Sequence, residues 1–216
     1  MQYTAQHNMI KQQLRATAVL DENILSLFES IPREQFVPQA YQAFAYSDMQ
    51  IPFHRGQRMM TPSEEGLLLQ SLQLQGHETV LEIGTGTGFL TALLSRLCKQ
   101  LISVDVDAVT MEEAKKKLEM YACHSVELCC GNGYEGWAAL APYDCIVFTG
   151  ALAELKESIF MQLQPSGKLF AILGKGDAMQ GQLYTLQANK VSAVKFIFNT
   201  NLPELTPLHC VHSFIF

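Results

Sequence analysis

Apolar residues fall along this chain in short blocks with two different periods. From residue 76 onward the blocks "TVLEI" (79–83), "LISVD" (101–105), "SVELCC" (125–130), "YDCIVFTG" (143–150) and "KLFAIL" (168–173) are rich in β-branched and aromatic residues. Such near-continuous apolar runs predict strands buried on both faces. Between the first two, Phe89, Leu90, Leu93, Leu94 and Leu97 recur at helical spacing. Between the second and third, Asp107 is placed to cap a helix through "AVTMEEAKKKLEMY", with Lys115, Lys116 and Lys117 on its solvated face. After the fourth strand "ELKESIFMQL" reads as an amphipathic helix and "QPSGK" as the turn that ends it. Strands alternating with helices imply parallel pairing through right-handed crossovers. Past residue 173 the pattern becomes two-residue alternation, predicting a hairpin around Asn189-Lys190 and then a C-terminal strand, "LHCVHSFIF".

The first 75 residues read differently. Helical segments are predicted near 5–18 and 21–30, then a proline-bearing irregular stretch from Pro32 to Pro62. A second helix starts at "TPSEE", with Thr61 as cap, Pro62 in the first turn and Glu64 three residues after the cap. The expected architecture is a doubly wound, mostly parallel α/β sheet over 76–216 with antiparallel C-terminal strands. A helical extension or lid over 1–75, lacking strands for a core of its own, joins it in one compact unit.

Composition narrows the function. A net charge of -6 argues against a nucleic-acid backbone as main partner, because phosphate binding needs a basic footprint. The N-terminus lacks the apolar core of a secretory signal and no apolar run reaches spanning length, so a cytosolic protein and no membrane partner are expected. Six cysteines without a CxxC spacing fit that compartment. Cys129, Cys130 and Cys145 are expected to be small buried hydrophobes. "HCVH" (209–212) is not expected to bind metal, since His209 and His212 would face opposite sides of a strand.

The chemistry concentrates at strand ends. "EIGTGTG" places Glu82 two residues before Gly84, with Thr85, Gly86, Thr87 and Gly88 completing a GxGxG turn. A dinucleotide fold favours GxGxxG, and no Gly-Lys-Ser/Thr follows as a P-loop would require. The pattern resembles motif I of class I methyltransferases that use S-adenosylmethionine (AdoMet). The second strand ends in Asp105, an acid placed to accept from both ribose hydroxyls. The third ends in "CCGNGYEGW", where Asn132 can accept from an adenine amino group beside Gly133. An Asn-Gly turn built for its positive φ accounts for that segment equally well.

Further segments carry a closer resemblance. "IPREQFVP" (31–38), "AYSD" (45–48), "GQ" (56–57), "GNGYEGW", "APYD" (141–144) and "VFTGA" (147–151) resemble, in order, the motifs of the protein-L-isoaspartate O-methyltransferases. The resemblance implies transfer of a methyl group from AdoMet to the carboxylate of isoaspartyl residues in damaged proteins or peptides, releasing S-adenosylhomocysteine. It adds Val106 and Thr149 to the cofactor set. A carboxylate is ionised at neutral pH, so in-line positioning can carry such catalysis without a general base.

The resemblance departs at "GQRMMTP" (56–62), where the family has G-Q-T-I-S-x-P. Arg58 stands for the threonine, and Met60 for a serine that in the family lies against the reacting carboxylate. Met60, Thr61 and Arg58 are therefore the acceptor-side candidates. Thr61 either replaces the serine or only caps its helix, and Arg58 either pairs with a carboxylate or is a surface arginine. The start of the Thr61 helix offers amide donors and a positive dipole end. Two further readings stay open: another methyl acceptor, and an AdoMet-binding module without catalysis.

Overall fold

The computed structural model describes residues 4–176 and 178–205. The sheet, in order β5-β4-β3-β6-β7-β8-β9, is formed by β3 (Thr79–Ile83), β4 (Gln100–Asp105), β5 (Val126–Cys130), β6 (Tyr143–Leu152), β7 (Leu163–Leu173), β8 (Met179–Gln187) and β9 (Lys190–Thr200). The pairs from β5 through to β7 are parallel, while β7–β8 and β8–β9 are antiparallel. The chain lays down β3, β4 and β5 outward on one side, then returns to place β6 against the other side of β3. Strand order thus reverses between β3 and β6, where open α/β sheets bind ligands at their carboxyl ends.

The helices α1 (Ala5–Asn8), α2 (Glu22–Ser30) and α3 (Pro62–Leu72) precede the sheet, and α4 (Phe89–Leu94), α5 (Ala108–Met120) and α6 (Glu157–Phe160) connect its strands. Helix α1 continues as a π-helical stretch, Met9–Leu14, where the sequence pattern predicts one longer helix. A small antiparallel ribbon, β1 (Ile51–Pro52) with β2 (Arg58–Met59), lies between α2 and α3. Helix α3 begins with the expected capping box: Thr61 Oγ1 accepts the Glu64 amide, and Glu64 accepts the Thr61 amide. Asp107 caps α5 by accepting from Val109 and Thr110.

The two faces of the sheet bury separate apolar clusters. One joins Val80, Val147 and Phe170 to Leu14, Phe28, Phe36, Leu68 and Phe89, so the N-terminal residues share a core with the sheet. The other joins Leu81, Ile83, Ile146, Phe148 and Leu169 to Ile159. Arg33 is buried in the first, its guanidinium paired with Glu65, donating to the Met60 carbonyl at 2.6 Å and lying 5.0 Å from the Phe89 ring centre. Burial pushes the Glu65 carboxyl up and the guanidinium down, and the ion pair opposes both.

Several local expectations change. Helix α6 holds four residues, and "QPSGK" belongs to β7, whose ladder to β6 shifts register between Tyr143 and Cys145. The hairpin turns at Ala188-Asn189, both with positive φ, one residue earlier than predicted. β5 is an edge strand, so Cys129 is half-buried and Cys130 exposed, whereas Cys145, on the central β6, is buried as expected. The predicted C-terminal strand and its "HCVH" lie outside the described residues. Among the described residues no helix is long and apolar enough to cross a membrane, and no cluster of His, Cys, Asp and Glu forms a metal site.

Candidate active site

A cavity of about 320 Å³ opens at the carboxyl ends of β3, β4, β5 and β6. Its floor is the glycine turn. Gly84, Gly86 and Gly88 all have positive φ, at 101°, 52° and 83°, a conformation L side chains adopt rarely. At Gly84 an added Cβ would overlap the Thr149 hydroxyl, which donates to the Gly84 carbonyl at 2.7 Å and the Ile83 carbonyl at 3.1 Å. Thr149 thereby ties the end of β6 to the start of the turn.

Asp105 faces the cavity from the end of β4. Its Oδ2 accepts the Gly86 amide at 2.9 Å, and its Oδ1 accepts the Asp107 amide at 2.9 Å. Burial pushes the carboxyl above the ordinary range, and the amides of Asp107, Gly86 and Val106 oppose that shift. Val106, Asn132 and Gly133 line the same wall. The Asn132 side-chain oxygen accepts the Tyr134 amide at 2.9 Å, so this residue builds its turn as well as facing the cavity. A Cβ at Gly133 would lie 2.8 Å from Ile83 Cδ1, which explains the glycine by close packing.

The other predicted residues sit behind this wall. The two-residue period of β3 puts Glu82 on the same face as Val80, beneath α4, rather than in the cavity. Glu82 is fully buried; its Oε2 accepts from Thr91 at 2.7 Å and from Ser103 at 2.6 Å. The Ser103 hydroxyl also lies 2.7 Å from that of Thr85. Burial pushes the Glu82 carboxyl up to about 7, opposed by Ser103 and Thr91. Thr85 and Gly88 are buried supports of the turn, the latter beside Ala114 on α5. Thr87 instead faces a neighbouring pocket between Tyr41 and Lys117.

On the opposite side, the loop joining β1 and β2 leans over the turn. The Phe53 ring lies 3.2 Å from where a Gly86 Cβ would be, and His54 Nε2 reaches Asp107 Oδ2 at 3.2 Å. Leu202, Pro203 and Leu205 complete the wall, held where the Leu205 amide donates to the Ala151 carbonyl at 2.8 Å. Sequence reading missed Phe53, His54 and this C-terminal segment, because no local motif links them to the turn.

The acceptor-side candidates separate. Arg58 lines the cavity. Met60 is buried in the core, 4% exposed, and Thr61 is committed to its helix cap, so neither lies on the cavity wall. The start of α3 is likewise not an open anion site. The Ser63 amide already donates to Asp48 Oδ1 at 3.0 Å, and the Thr61 and Glu64 amides are taken by the capping box.

The sequence profile described as protein-L-isoaspartate(D-aspartate) O-methyltransferase matches residues 4–201. The chain is 33% identical to protein-L-isoaspartate O-methyltransferase 2 of Shewanella sediminis over 170 residues, 79% of this chain and 70% of that protein. To the protein-L-isoaspartate O-methyltransferase of Pectobacterium atrosepticum it is 34% identical over 188 residues, covering 87% and 88% of the two chains. A solved protein-L-isoaspartate O-methyltransferase superposes with a TM-score of 0.79 at 25% identity, over 93% of this chain and 66% of that one. A Plasmodium falciparum protein, solved with S-adenosyl-L-homocysteine, shares the fold with a TM-score of 0.81 at 14% identity, over 96% of this chain and the whole of the other.

Proposed function

The chain belongs to the AdoMet-dependent protein-L-isoaspartate(D-aspartate) O-methyltransferase family, and on that premise we propose that it methylates isoaspartyl carboxylates of damaged proteins at the cavity above its glycine turn. The observation that carries this reading is the union of Gly86 and Asp105 by one hydrogen bond on the cavity floor.

In this reading the positive-φ turn at Gly84 and Gly86 lets the backbone approach the amino-acid end of the cofactor. Asp105 accepts from the ribose hydroxyls while the Gly86 and Asp107 amides hold its carboxylate in place. Asn132 and Gly133 form the adenine side, Val106 lines the wall between, and Thr149 fixes the turn from β6. Glu82, Thr85 and Gly88 support the turn from below without touching the ligand. A cavity of about 320 Å³ lies within the range of small-molecule sites. AdoMet bound there supplies the methyl group, which passes from sulfur to a carboxylate oxygen while the C–S electron pair stays on sulfur. Phe53, Leu202, Pro203 and Leu205 keep water from the reacting end.

The test is base-labile methyl transfer from labelled AdoMet to an isoaspartyl peptide, with the matched aspartyl peptide as control and AdoMet binding measured in the same sample. Transfer to the isoaspartyl peptide alone is expected. Binding without transfer would overturn the acceptor assignment. The occupied amides at the start of α3 favour a second reading, in which the acceptor is another carboxylate. A panel of carboxylate acceptors separates the two.

A further inference from the structure

An acceptor carboxylate in this cavity needs a donor to hold it, and the start of α3 has none to give. The Thr61 amide donates to Glu64 Oε2 at 2.7 Å, the Ser63 amide to Asp48 Oδ1 at 3.0 Å, and the Glu64 amide to Thr61 Oγ1 at 3.2 Å. Pro62 has no N–H, and the Glu65 amide donates to the Thr61 carbonyl at 3.0 Å. Asp48 and Glu64 thus already place two carboxylates at the positive end of this helix. A further anion there would meet repulsion in place of the attraction a free helix terminus offers.

Among the described residues, the basic side chains lining the cavity are His54, Arg55 and Arg58. Two of them face the same acid: His54 Nε2 lies 3.2 Å and Arg55 Nε 3.5 Å from Asp107 Oδ2. Arg58 is placed differently. β2 pairs with β1 in a fixed register, Ile51 opposite Met59 and Pro52 opposite Arg58. Neighbouring strand residues point to opposite faces. Met59 turns into the core, 6% exposed, and Arg58 is therefore presented on the other face, where it lines the cavity.

We propose that Arg58 is the specificity-determining residue that receives the acceptor carboxylate, taking the part that a helix terminus or a hydroxyl would otherwise play. The proposal rests on the reading of the cavity as the methyl-transfer site. A guanidinium fork can give a carboxylate two parallel N–H bonds, which orients the acceptor as well as neutralising it. The acceptor class is then an anionic peptide carboxylate, and an amide in its place lacks the charge that the fork recognises.

The experiment is steady-state methyl transfer to an isoaspartyl peptide at saturating AdoMet, comparing the wild type with Arg58→Ala and Arg58→Lys. AdoMet affinity and thermal melting are recorded for each. Arg58→Ala should raise the peptide KM by about ten- to a hundred-fold, with kcat falling less and AdoMet affinity unchanged. Arg58→Lys should recover part of the loss, since an ammonium supplies charge without the fork. Should Arg58→Ala melt early, Arg58→Gln repeats the comparison with the stem retained. An unchanged KM in a folded variant, beside an active wild type, would overturn the role of Arg58 and leave the function standing. A wild type that binds AdoMet but methylates no isoaspartyl peptide would overturn both.

Discussion

The Gly86 amide donates to Asp105 Oδ2 at 2.9 Å, so the glycine turn after β3 and the acid at the end of β4 form one unit. The acid does two jobs from one position. It fixes the turn's backbone, and it presents its carboxylate to the cavity, where the proposed reading puts the ribose.

Asp105→Ala should therefore weaken AdoMet binding by about 1–3 kcal/mol, through lost charge-assisted bonds. Asp105→Asn should weaken it less, because the amide oxygen can still accept from Gly86. Titration calorimetry gives both values. Equal affinity in wild type and Asp105→Ala would remove this residue from the ribose site.

Gly84 and Gly56 separate backbone strain from crowding. Both have positive φ, but a Cβ at Gly84 would overlap the Thr149 hydroxyl, while at Gly56 it would meet nothing within 4 Å. Gly56→Ala should cost roughly 1 kcal/mol from its backbone conformation alone. Gly84→Ala should cost more than about 2 kcal/mol, since it also breaks the tie between Thr149 and the turn. Denaturant melts of the two variants provide the comparison, and equal losses would show that Thr149 gives way freely.

Local rules made some features legible and long-range contacts hid others. The capping box at Thr61 and the Asp107 cap involve residues three or fewer apart, and both form as the spacing predicts. The glycine turn and Asp105 are found by the same logic, at the ends of strands whose apolar runs are plain. The exposure of Cys130 depends on β5 being an edge strand, which strand order settles and composition does not. "QPSGK" carries turn residues, and β7 runs through them as an irregularity between Leu163, opposite Tyr143, and Lys168, opposite Cys145, which only the register with β6 reveals. The contact of Phe53 with the turn and the wall from Leu202 to Leu205 join residues far apart in the chain, with no motif to announce them.

Met60→Ser tests whether a hydroxyl at this position can serve the acceptor. Met60 is 4% exposed, within the N-terminal part of the core, and does not line the cavity. A serine there removes apolar volume and buries a hydroxyl, so a loss of about 2–4 kcal/mol in stability is expected. No gain in methyl transfer should accompany it. A rise in kcat or a fall in peptide KM would show that the serine reaches the acceptor after all.

Glu82 gives stability a pH dependence of definite sign. Burial raises its carboxyl from 4.5 to about 7 in the folded chain, so between those values the folded state holds a proton that the unfolded state has released. Its contribution is complete below pH 4.5 and is lost as the pH rises towards 7, amounting to about 3 kcal/mol in all. Glu82→Gln removes the titration and keeps an oxygen for Ser103 and Thr91. The gap in unfolding free energy between wild type and variant should move in the variant's favour from pH 4.5 to 8. A constant gap would show that Glu82 titrates alike in both states.

The Arg33–Glu65 pair is the strongest test of how the acceptor-side segment is held. Arg33 is fully buried, pairs with Glu65, donates to the Met60 carbonyl and packs on Phe89. Arg33→Met leaves a buried carboxyl and the Met60 carbonyl without their donor, and should cost about 3–5 kcal/mol. Glu65→Leu strands the guanidinium and should cost a similar amount. The double variant should be more stable than either single one, because an apolar pair of similar volume carries no desolvation penalty. If the ion pair served only stability, the double variant would keep its peptide KM. The carbonyl of Met60, however, is two residues from Arg58 and loses its anchor in both Arg33 variants. Peptide KM should therefore rise in the double variant even where stability recovers, while AdoMet affinity holds. Recovery of both stability and KM would show that β1 and β2 position Arg58 without help from the buried guanidinium.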